Sequence, residues 1–284
     1  MKFPFVYVLL TGVLVAGLCP VARAFPPAPS GLIYGMVKDQ YGTPLTTSAD
    51  GVVLQTASGV QVTGTIQPGL AIGVNYAIYV PMDAGTMGTP FKANALVAAT
   101  QYKLYVTVGT QTNLPLEMTG GYVTLGGPAS QACQNLTLGT DSNGDGIPDA
   151  WEHAFLFETG NYIALSAINP NKDYTGSGRT LKQEYLLGNY PFNPPTNSTS
   201  DFAVQIVSQT NSSATIAFTT MTGRSYTAYG SADLQNWAPL NFTVPSAGSN
   251  VVSFYYAPTI QPVQIQTVAP TNGLSVQFFK VELQ

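Results

Sequence analysis

The sequence predicts a mainly β fold, with two β-sandwich domains joined by a short module of loops and helices. Short apolar or β-branched runs alternate with turn residues along most of the chain, which is the spacing of strands in a sandwich. Charged residues make up only 8% of a chain that is rich in Gly, Pro and Tyr, a composition typical of extracellular β proteins. Convincing helix patterns occur only between residues 140 and 191.

The first 24 residues have the form of a cleavable secretory signal peptide, with Lys2 as the basic start and Ala22-Arg23-Ala24 as the cleavage site. Leu18 precedes Cys19 where a lipid-anchor motif needs a small residue, which argues against lipidation. No later stretch is apolar for long enough to span a bilayer. We therefore expect no transmembrane segment in the mature chain and a secreted or cell-surface location, extracellular or periplasmic.

Charge and cysteine content exclude several classes of function. Without the signal peptide, 8 basic and 14 acidic side chains give a net charge of −6, so nucleic acid is not expected as a partner. Cys133 is the one cysteine of the mature chain, so no internal disulfide can form. We expect Cys133 to be a small buried residue, the alternative being a reactive or intermolecular thiol.

Residues 25–139 are predicted to form the first sandwich. The segment GMVKDQYGTPL, residues 35–45, places turn residues between two strands. This segment resembles the first hairpin of carboxypeptidase-regulatory-like domains, and the resemblance implies a transthyretin-type β-sandwich. The predicted strands are Leu32 to Val37, Val52 to Thr56, Val60 to Ile66, Tyr76 to Val80, Tyr102 to Val108, Tyr122 to Leu125 and Asn135 to Leu138.

The middle of the chain, residues 140–191, has a different character. Seven of the 14 acidic residues fall between positions 141 and 184. Pro148 is expected to open a first helix and Gly160 to stop it. A second helix is expected to end at Gly188. Residues 192–200 are rich in Pro, Asn, Ser and Thr and are interpreted as a linker.

Residues 201–284 are predicted to form the second sandwich. The segment GRSYTAYGSADLQNWAPL, residues 223–240, together with the closing FFKV, resembles a C-terminal β-module of unknown function from exported proteins of environmental bacteria. In those proteins the module typically follows calcium repeats. The predicted strands are Ala203 to Val207, Ala214 to Thr219, Ser225 to Tyr229, Val251 to Tyr255, Val263 to Val268 and Leu274 to Leu283.

The twelve residues DSNGDGIPDAWE, from position 141 to position 152, match the calcium-loop pattern D-x-[DN]-x-[DN]-G-x5-E at every specified position. Calcium takes about six to eight oxygen ligands, and alternate residues of such a loop point toward the ion. The alternative is an ordinary surface turn rich in Asp and Gly. The predicted Ca²⁺ ligands are the side chains of Asp141, Asn143, Asp145, Asp149 and Glu152 and the carbonyl group of Ile147.

The flanks of this loop indicate its type. Pro148, at position 8, has no N–H to give to a partner loop, so the pairing of ordinary EF-hands is excluded. The upstream segment CQNLTLGT is typical of a strand rather than of an entering helix. The loop resembles the calcium repeats of the thrombospondin type 3 and dockerin-like (EF-hand-like) group. Because extracellular calcium modules bind with a Kd of about 10⁻⁴ to 10⁻³ M, we expect a structural ion rather than a sensor.

A second copy of the loop, DYTGSGRTLKQE at residues 173–184, is eroded. Asp173 and Glu184 keep the first and last ligand positions, but Thr175 and Ser177 replace the ligands at positions 3 and 5. Neutral hydroxyls bind calcium poorly. These four residues are therefore a weak second metal candidate, and the copy is expected to persist mainly as a scaffold.

Candidate catalytic groups are few, and no catalytic residue is predicted. His153 is the one histidine, and it is expected to be a partly exposed helix residue. Acidic residues outside the loops show no pairing signature, and turn capping is expected for Asp39 and Asp233. The aromatic cluster of the last domain is expected to form core rather than a sugar-stacking platform. Its members are Tyr226, Tyr229, Trp237, Tyr255 and Tyr256.

Together these features predict a calcium-binding, non-catalytic secreted or cell-surface protein with a structural or adhesive role. Its partner would be an unknown macromolecule, protein or polysaccharide. One alternative is a carbohydrate-binding accessory protein in extracellular polysaccharide use. A less favoured alternative is an unrecognised hydrolase.

Overall fold

The computed structural model describes residues 28–85, 91–192, 203–210, 213–269 and 276–283. These residues are mainly β, as predicted, with strands on both sides of a segment that contains two short α-helices. The predicted signal peptide, residues 1–24, and residues 193–200 of the predicted linker lie outside them. No helix in the described ranges is long and apolar enough to cross a membrane.

The described residues of the N-terminal β part, 28–85 and 91–138, form ten strands. In β3, Val52, Leu54 and Thr56 are buried while the residues between them are partly exposed, because successive side chains of a strand point to opposite faces. The strands are β1 (Ala28–Gly35), β2 (Val37–Lys38), β3 (Gly51–Thr56), β4 (Gln61–Ala71), β5 (Val74–Met82), β6 (Gln101–Val108), β7 (Gln111–Asn113), β8 (Val123–Thr124), β9 (Gln131–Cys133) and β10 (Leu136–Thr137).

Eight of these strands belong to one sheet, with the order β7-β6-β3-β4-β5-β1-β9 and with β8 paired to β6. Neighbouring strands are antiparallel except β1 and β9, where Tyr34 lies opposite Cys133 in parallel register. Strands β2 and β10 form a separate parallel pair. The buried residues of this part form one hydrophobic cluster that extends from Ile33 to Leu136.

All seven strands predicted for this part overlap an observed strand. The sequence does not predict β7 and β9, because each has only three residues and lacks an apolar alternation. The prediction that Cys133 is buried is wrong, since its side chain is exposed. Cys133 ends β9 at the edge of the sheet, and the alternation of that strand turns Ala132 inward instead.

The loop–helix segment, residues 139–192, contains α1 (Asp149–Glu158) and α2 (Leu181–Leu187). Pro148 precedes α1 as its N-cap, with extended backbone angles, so the helix begins one residue after the predicted position. Thr180 and Gln183 form a capping box at the start of α2, which satisfies backbone N–H groups that have no partner within the helix. Gly188 ends α2 in the left-handed conformation, as predicted.

The C-terminal β part extends from residue 203 to residue 283, and its described residues, 203–210, 213–269 and 276–283, form nine strands. The sequence does not predict β14 and β15, and its single strand over 251–255 is divided between β16 and β17. The strands are β11 (Gln205–Gln209), β12 (Ala214–Thr220), β13 (Ser225–Ser231), β14 (Ala238–Leu240), β15 (Phe242–Val244), β16 (Gly248–Val252), β17 (Tyr255–Tyr256), β18 (Gln261–Thr267) and β19 (Phe278–Leu283).

These strands lie in two sheets that share one hydrophobic cluster. The larger sheet has the order β11-β12-β18-β15-β16, and the smaller has β14-β13-β17 with β19 paired to β13. Phe218 from the larger sheet and Tyr226 from the smaller contact each other, with ring centroids 5.0 Å apart. Burial of these apolar side chains from both sheets is the main force that holds this part together.

The three parts of the chain meet closely at one place. A methyl group added to Gly223 of the C-terminal β part would fall 2.6 Å from Cβ of Pro44 in the N-terminal β part. One added to Gly188 of the loop–helix segment would fall 2.2 Å from a guanidinium nitrogen of Arg224. Because real Cβ atoms do not approach other atoms this closely, a side chain at Gly223 would collide with the Pro44 ring, and a side chain at Gly188 would displace the guanidinium group of Arg224. Both glycines also have positive φ angles, which favour glycine.

Candidate metal centre

The first loop, residues 141–152, connects β10 to α1 and is folded around the carboxylate of Asp141. Oδ1 of Asp141 accepts hydrogen bonds from the backbone N–H groups of Gly144 (2.7 Å) and Asp145 (3.2 Å), and Oδ2 accepts one from Gly146 (2.8 Å). Gly144 and Gly146 have φ angles of +76° and +79°, which glycine adopts without steric cost. The position-1 carboxylate therefore sets the curvature of the loop.

Three of the predicted ligands converge inside this curve. The side-chain amide of Asn143 lies 3.2 Å from Oδ2 of Asp145 and 3.2 Å from Oε2 of Glu152. Glu152 is fully buried. The structure thus brings positions 3, 5 and 12 of the loop together around one point.

Burial has a strong effect on the carboxyl group of Glu152. Removal from water and the neighbouring charge of Asp145 together raise its pKa to about 8, although the hydrogen bond from Asn143 acts in the opposite direction. Within the described ranges, no Lys, Arg or His nitrogen lies within ion-pair distance of this carboxyl group. Nζ of Lys182 instead donates to the backbone carbonyl oxygen of Asp145, at 2.8 Å. The buried Glu152 and the partly exposed Asp145 thus form an acidic pair that has no cationic side chain in ion-pair distance among the described residues.

One predicted ligand, Asp149, directs its side chain to hydrogen bonds outside this group. The carboxylate of Asp149 accepts hydrogen bonds from Ser142 (N–H, 2.8 Å; Oγ, 3.1 Å) and from Oγ1 of Thr140 (2.9 Å). Ile147 is held by a buried side chain and by its N–H, which donates to Oδ1 of Asp145. Among the residues that the structure describes, no three Asp, Glu, His or Cys side chains form a complete metal-ligand cluster.

The second loop repeats the fold of the first, with each position 32 residues later. Oδ1 of Asp173 accepts from Gly176 and Oδ2 from Gly178, each at 2.8 Å, and both glycines have positive φ angles. The N–H of position 9 donates to the carbonyl oxygen just before the loop in both copies, from Asp149 to Thr140 and from Leu181 to Lys172. The two loops are therefore structural repeats.

The second loop differs in how its last carboxylate is compensated. Oε1 of Glu184 accepts from Oγ of Ser177 (2.5 Å) and pairs with Nε of Arg179 (3.2 Å). Oε2 of Glu184 accepts from the amide of Asn189. Arg179 occupies position 7, where the first loop has Ile147. A guanidinium group thus supplies the positive charge at the closing glutamate.

Aromatic packing couples the two loops. The ring of Trp151 stacks on Phe155, with centroids 4.6 Å apart, and meets Tyr185 of α2 edge-on at 5.3 Å. Nε1 of Trp151 donates to the carbonyl oxygen of Asn189, at 3.2 Å. Since Asn189 also contacts Glu184, the helix after the first loop is connected to the closing residue of the second.

The remaining candidate residues from the sequence are one histidine, two turn aspartates and the aromatic cluster of the C-terminal β part. His153 lies exposed on α1. Asp39 and Asp233 accept backbone hydrogen bonds within their own turns, which confirms the predicted capping role. Tyr226 is fully buried, whereas Trp237 is half-buried under Nζ of Lys280, 4.9 Å from its ring centroid.

Comparisons of the chain with protein-family models, with curated proteins and with solved structures find no match. We therefore infer the function from the geometry of the two loops. Sequence reasoning misses the roles of Arg179 and Asn189. Arg179 could be found from its place inside a loop that has lost ligands, but Asn189 lies beyond the motif.

We predict that Arg179→Met lowers the free energy of unfolding by about 1–3 kcal/mol, because it leaves the buried Glu184 carboxylate without its cation. Urea denaturation in excess chelator measures the loss. The matched control is Lys280→Met, which breaks an ion pair whose side chains are both 37% exposed and should cost less than about 1 kcal/mol. Adding Glu184→Gln to Arg179→Met should recover most of the stability. An Arg179→Met protein as stable as the control would contradict this account.

Proposed function

We propose that this chain is a calcium-binding, non-catalytic, secreted or cell-surface modular protein with a structural or adhesive role. In this proposal the first loop holds one structural Ca²⁺ at the junction of two β-sandwich domains. The observation that carries it is the contrast between the two repeats. Glu184 has Arg179 beside it, whereas Glu152 is equally buried beside Asp145 with no cationic side chain in ion-pair reach.

The donor set of the first loop fits calcium. Its candidate ligands offer oxygen atoms and no thiolate or imidazole, which suits a hard cation rather than zinc. Asn143, Asp145 and Glu152 already lie together, and the amide of Asn143 carries an oxygen beside its NH₂ group. Asp141, the carbonyl of Ile147 and Asp149, directly or through water, would complete the set. The ion would supply the positive charge that is missing beside Glu152 and Asp145.

The place of the loop supports a structural role. Trp151 packs against Tyr185, and a methyl group added to Gly42 of the N-terminal β part would lie 3.3 Å from the Tyr185 ring. Gly188, which ends α2, lies against Arg224 of the C-terminal β part. Stiffening the first loop would therefore stiffen the contact among all three parts.

The first prediction from this proposal is that calcium stabilises the wild-type protein and that Glu152→Gln abolishes the effect. A ligand at 100 times its Kd stabilises the folded state by about 2.7 kcal/mol, which calorimetry detects as a rise in Tm relative to excess chelator. The matched control is Glu184→Gln, which alters the same position of the second loop and should keep the calcium-dependent rise. A wild-type Tm that is the same in calcium and in chelator would contradict the proposal.

A second candidate function, polysaccharide binding, is favoured by aromatic exposure in the loop–helix segment rather than by the predicted C-terminal cluster. Phe157 and Tyr162 are 61% and 79% exposed, and their rings meet edge-on at 5.6 Å. They line a groove of about 660 Å³ with His153, Glu158 and other residues. Exposed aromatic faces of this kind can stack on sugar rings.

For this candidate we expect co-sedimentation with insoluble polysaccharides that falls several-fold in Tyr162→Ala. Loss of the stacking face is the physical reason. Tyr79→Ala is the matched control, because Tyr79 is also highly exposed, at 69%, but lies on β5 away from the groove. Equal binding by both variants, or no binding by the wild type, would remove this candidate.

A further inference from the structure

A cavity of about 330 Å³ lies where the three parts of the chain meet. The turn after β2, the end of α2 and the turn before β13 each contribute one wall. Aromatic rings, hydroxyl groups and one guanidinium group face it. The residues that line it include Tyr41, Thr43, Tyr190, Thr222 and Arg224.

Arg224 is the unusual member of this lining. Its side chain is buried, with the residue only 5% exposed. Its backbone is fixed by hydrogen bonds to Met221 and Ala257, yet its guanidinium group has no hydrogen-bond or ion-pair partner among the described residues. A buried, unpaired charge is costly, and buried polar groups normally have partners.

The nearby acidic side chains do not form an ion pair with Arg224. Oδ1 of Asp39, which also lines the cavity, accepts from the N–H groups of Tyr41 and Thr43. Oε2 of Glu117 accepts from the N–H of Thr137, at 2.8 Å. Neither carboxylate lies within ion-pair distance of Arg224. The guanidinium group therefore keeps its donors available toward the cavity.

A second basic side chain, Lys38, lies within electrostatic range of Arg224. Burial, assisted by the charge of Arg224, lowers the pKa of Lys38 to about 7, while Glu117 acts in the opposite direction. The interaction of Lys38 with Arg224 is thus repulsive. A negatively charged ligand between the parts would relieve this repulsion as well as pair the guanidinium group.

We propose that this cavity binds an oxyanion, a carboxylate, sulfate or phosphate group, with Arg224 as its main recognition residue. The planar guanidinium group matches two oxygens of such an anion with two N–H donors. The hydroxyl groups of Thr43 and Thr222 can add hydrogen bonds, and the rings of Tyr41 and Tyr190 can cover a small carbon skeleton. The volume accommodates a free inorganic anion or an acidic sugar unit. This site is separate from the calcium loop.

Isothermal titration calorimetry at constant ionic strength tests the proposal, with sulfate, glucuronate and neutral glucose as probes and calcium present throughout. We expect wild-type protein to bind sulfate or glucuronate and not glucose. Arg224→Gln should lose affinity by roughly tenfold or more, because a charge-assisted hydrogen bond is removed. Lys280→Gln, which removes an exposed cation elsewhere, should bind within about twofold of the wild type.

The variants and probes separate the outcomes. Arg224→Lys keeps the charge but not the planar donor pair, so it should bind more weakly than the wild type and more tightly than Arg224→Gln, and it keeps the test valid if the glutamine variant does not fold. Tighter glucuronate binding identifies an acidic sugar as the source of the oxyanion, and tighter sulfate binding identifies an inorganic anion. No oxyanion binding by the wild type, or equal binding by wild type and Arg224→Gln, overturns the proposal. Calcium binding by Arg224→Gln should be unchanged, so failure here is distinguishable from failure of the calcium site.

Discussion

Each loop in the middle of the chain carries a glutamate into the interior, where burial disfavours the charged form of the carboxyl group unless a positive charge lies near it. Glu184 is compensated within the chain by Arg179, Ser177 and Asn189. Glu152 lies beside Asn143 and Asp145, and none of these can supply a positive charge. The two loops share one backbone fold, with glycines of positive φ at positions 4 and 6. They differ in the charged groups that surround the closing glutamate.

The charge around each closing glutamate affects more than its own loop, because the two loops contact each other and the β parts on either side. Trp151, which directly precedes the closing Glu152 of the first loop, contacts Tyr185 and Asn189, which follow the second loop. Lys182 of α2 donates to a backbone carbonyl group of the first loop. In the proposed arrangement, the second loop, which has its own cation, is a fixed support for the first loop, which would close on a metal ion. The β parts on either side contact this support at Gly42 and Gly188.

The sequence predicts much of this arrangement because the relevant signals are local. Strand runs with strict alternation, such as β3 and β12, and the glycine that ends α2 depend on near neighbours only. The short strands β7 and β9 depend on pairing with distant partners, so their own residues carry little signal. Cys133 shows the same limit, because the direction of its side chain follows from the register of β9 against β1.

The sequence likewise predicts some features of the candidate metal site and not others. The spacing of Asp141, Asn143, Asp145 and Glu152 predicts which side chains can share a ligand. It does not predict that Asp149 turns toward Ser142 and Thr140, since these hydrogen bonds are set by the start of α1. The unpaired guanidinium group of Arg224 has no sequence signal, because its cavity is assembled from three separate parts of the chain.

We propose that the first loop holds a metal ion and that Arg179 takes the place of an ion in the second. The calcium stoichiometry of the purified protein, measured by equilibrium dialysis followed by elemental analysis, tests both halves of this proposal. We expect one calcium ion per chain. A stoichiometry of zero would show that the acidic pair of the first loop is tolerated without a cation, and a stoichiometry of two would show that Arg179 does not take the place of an ion.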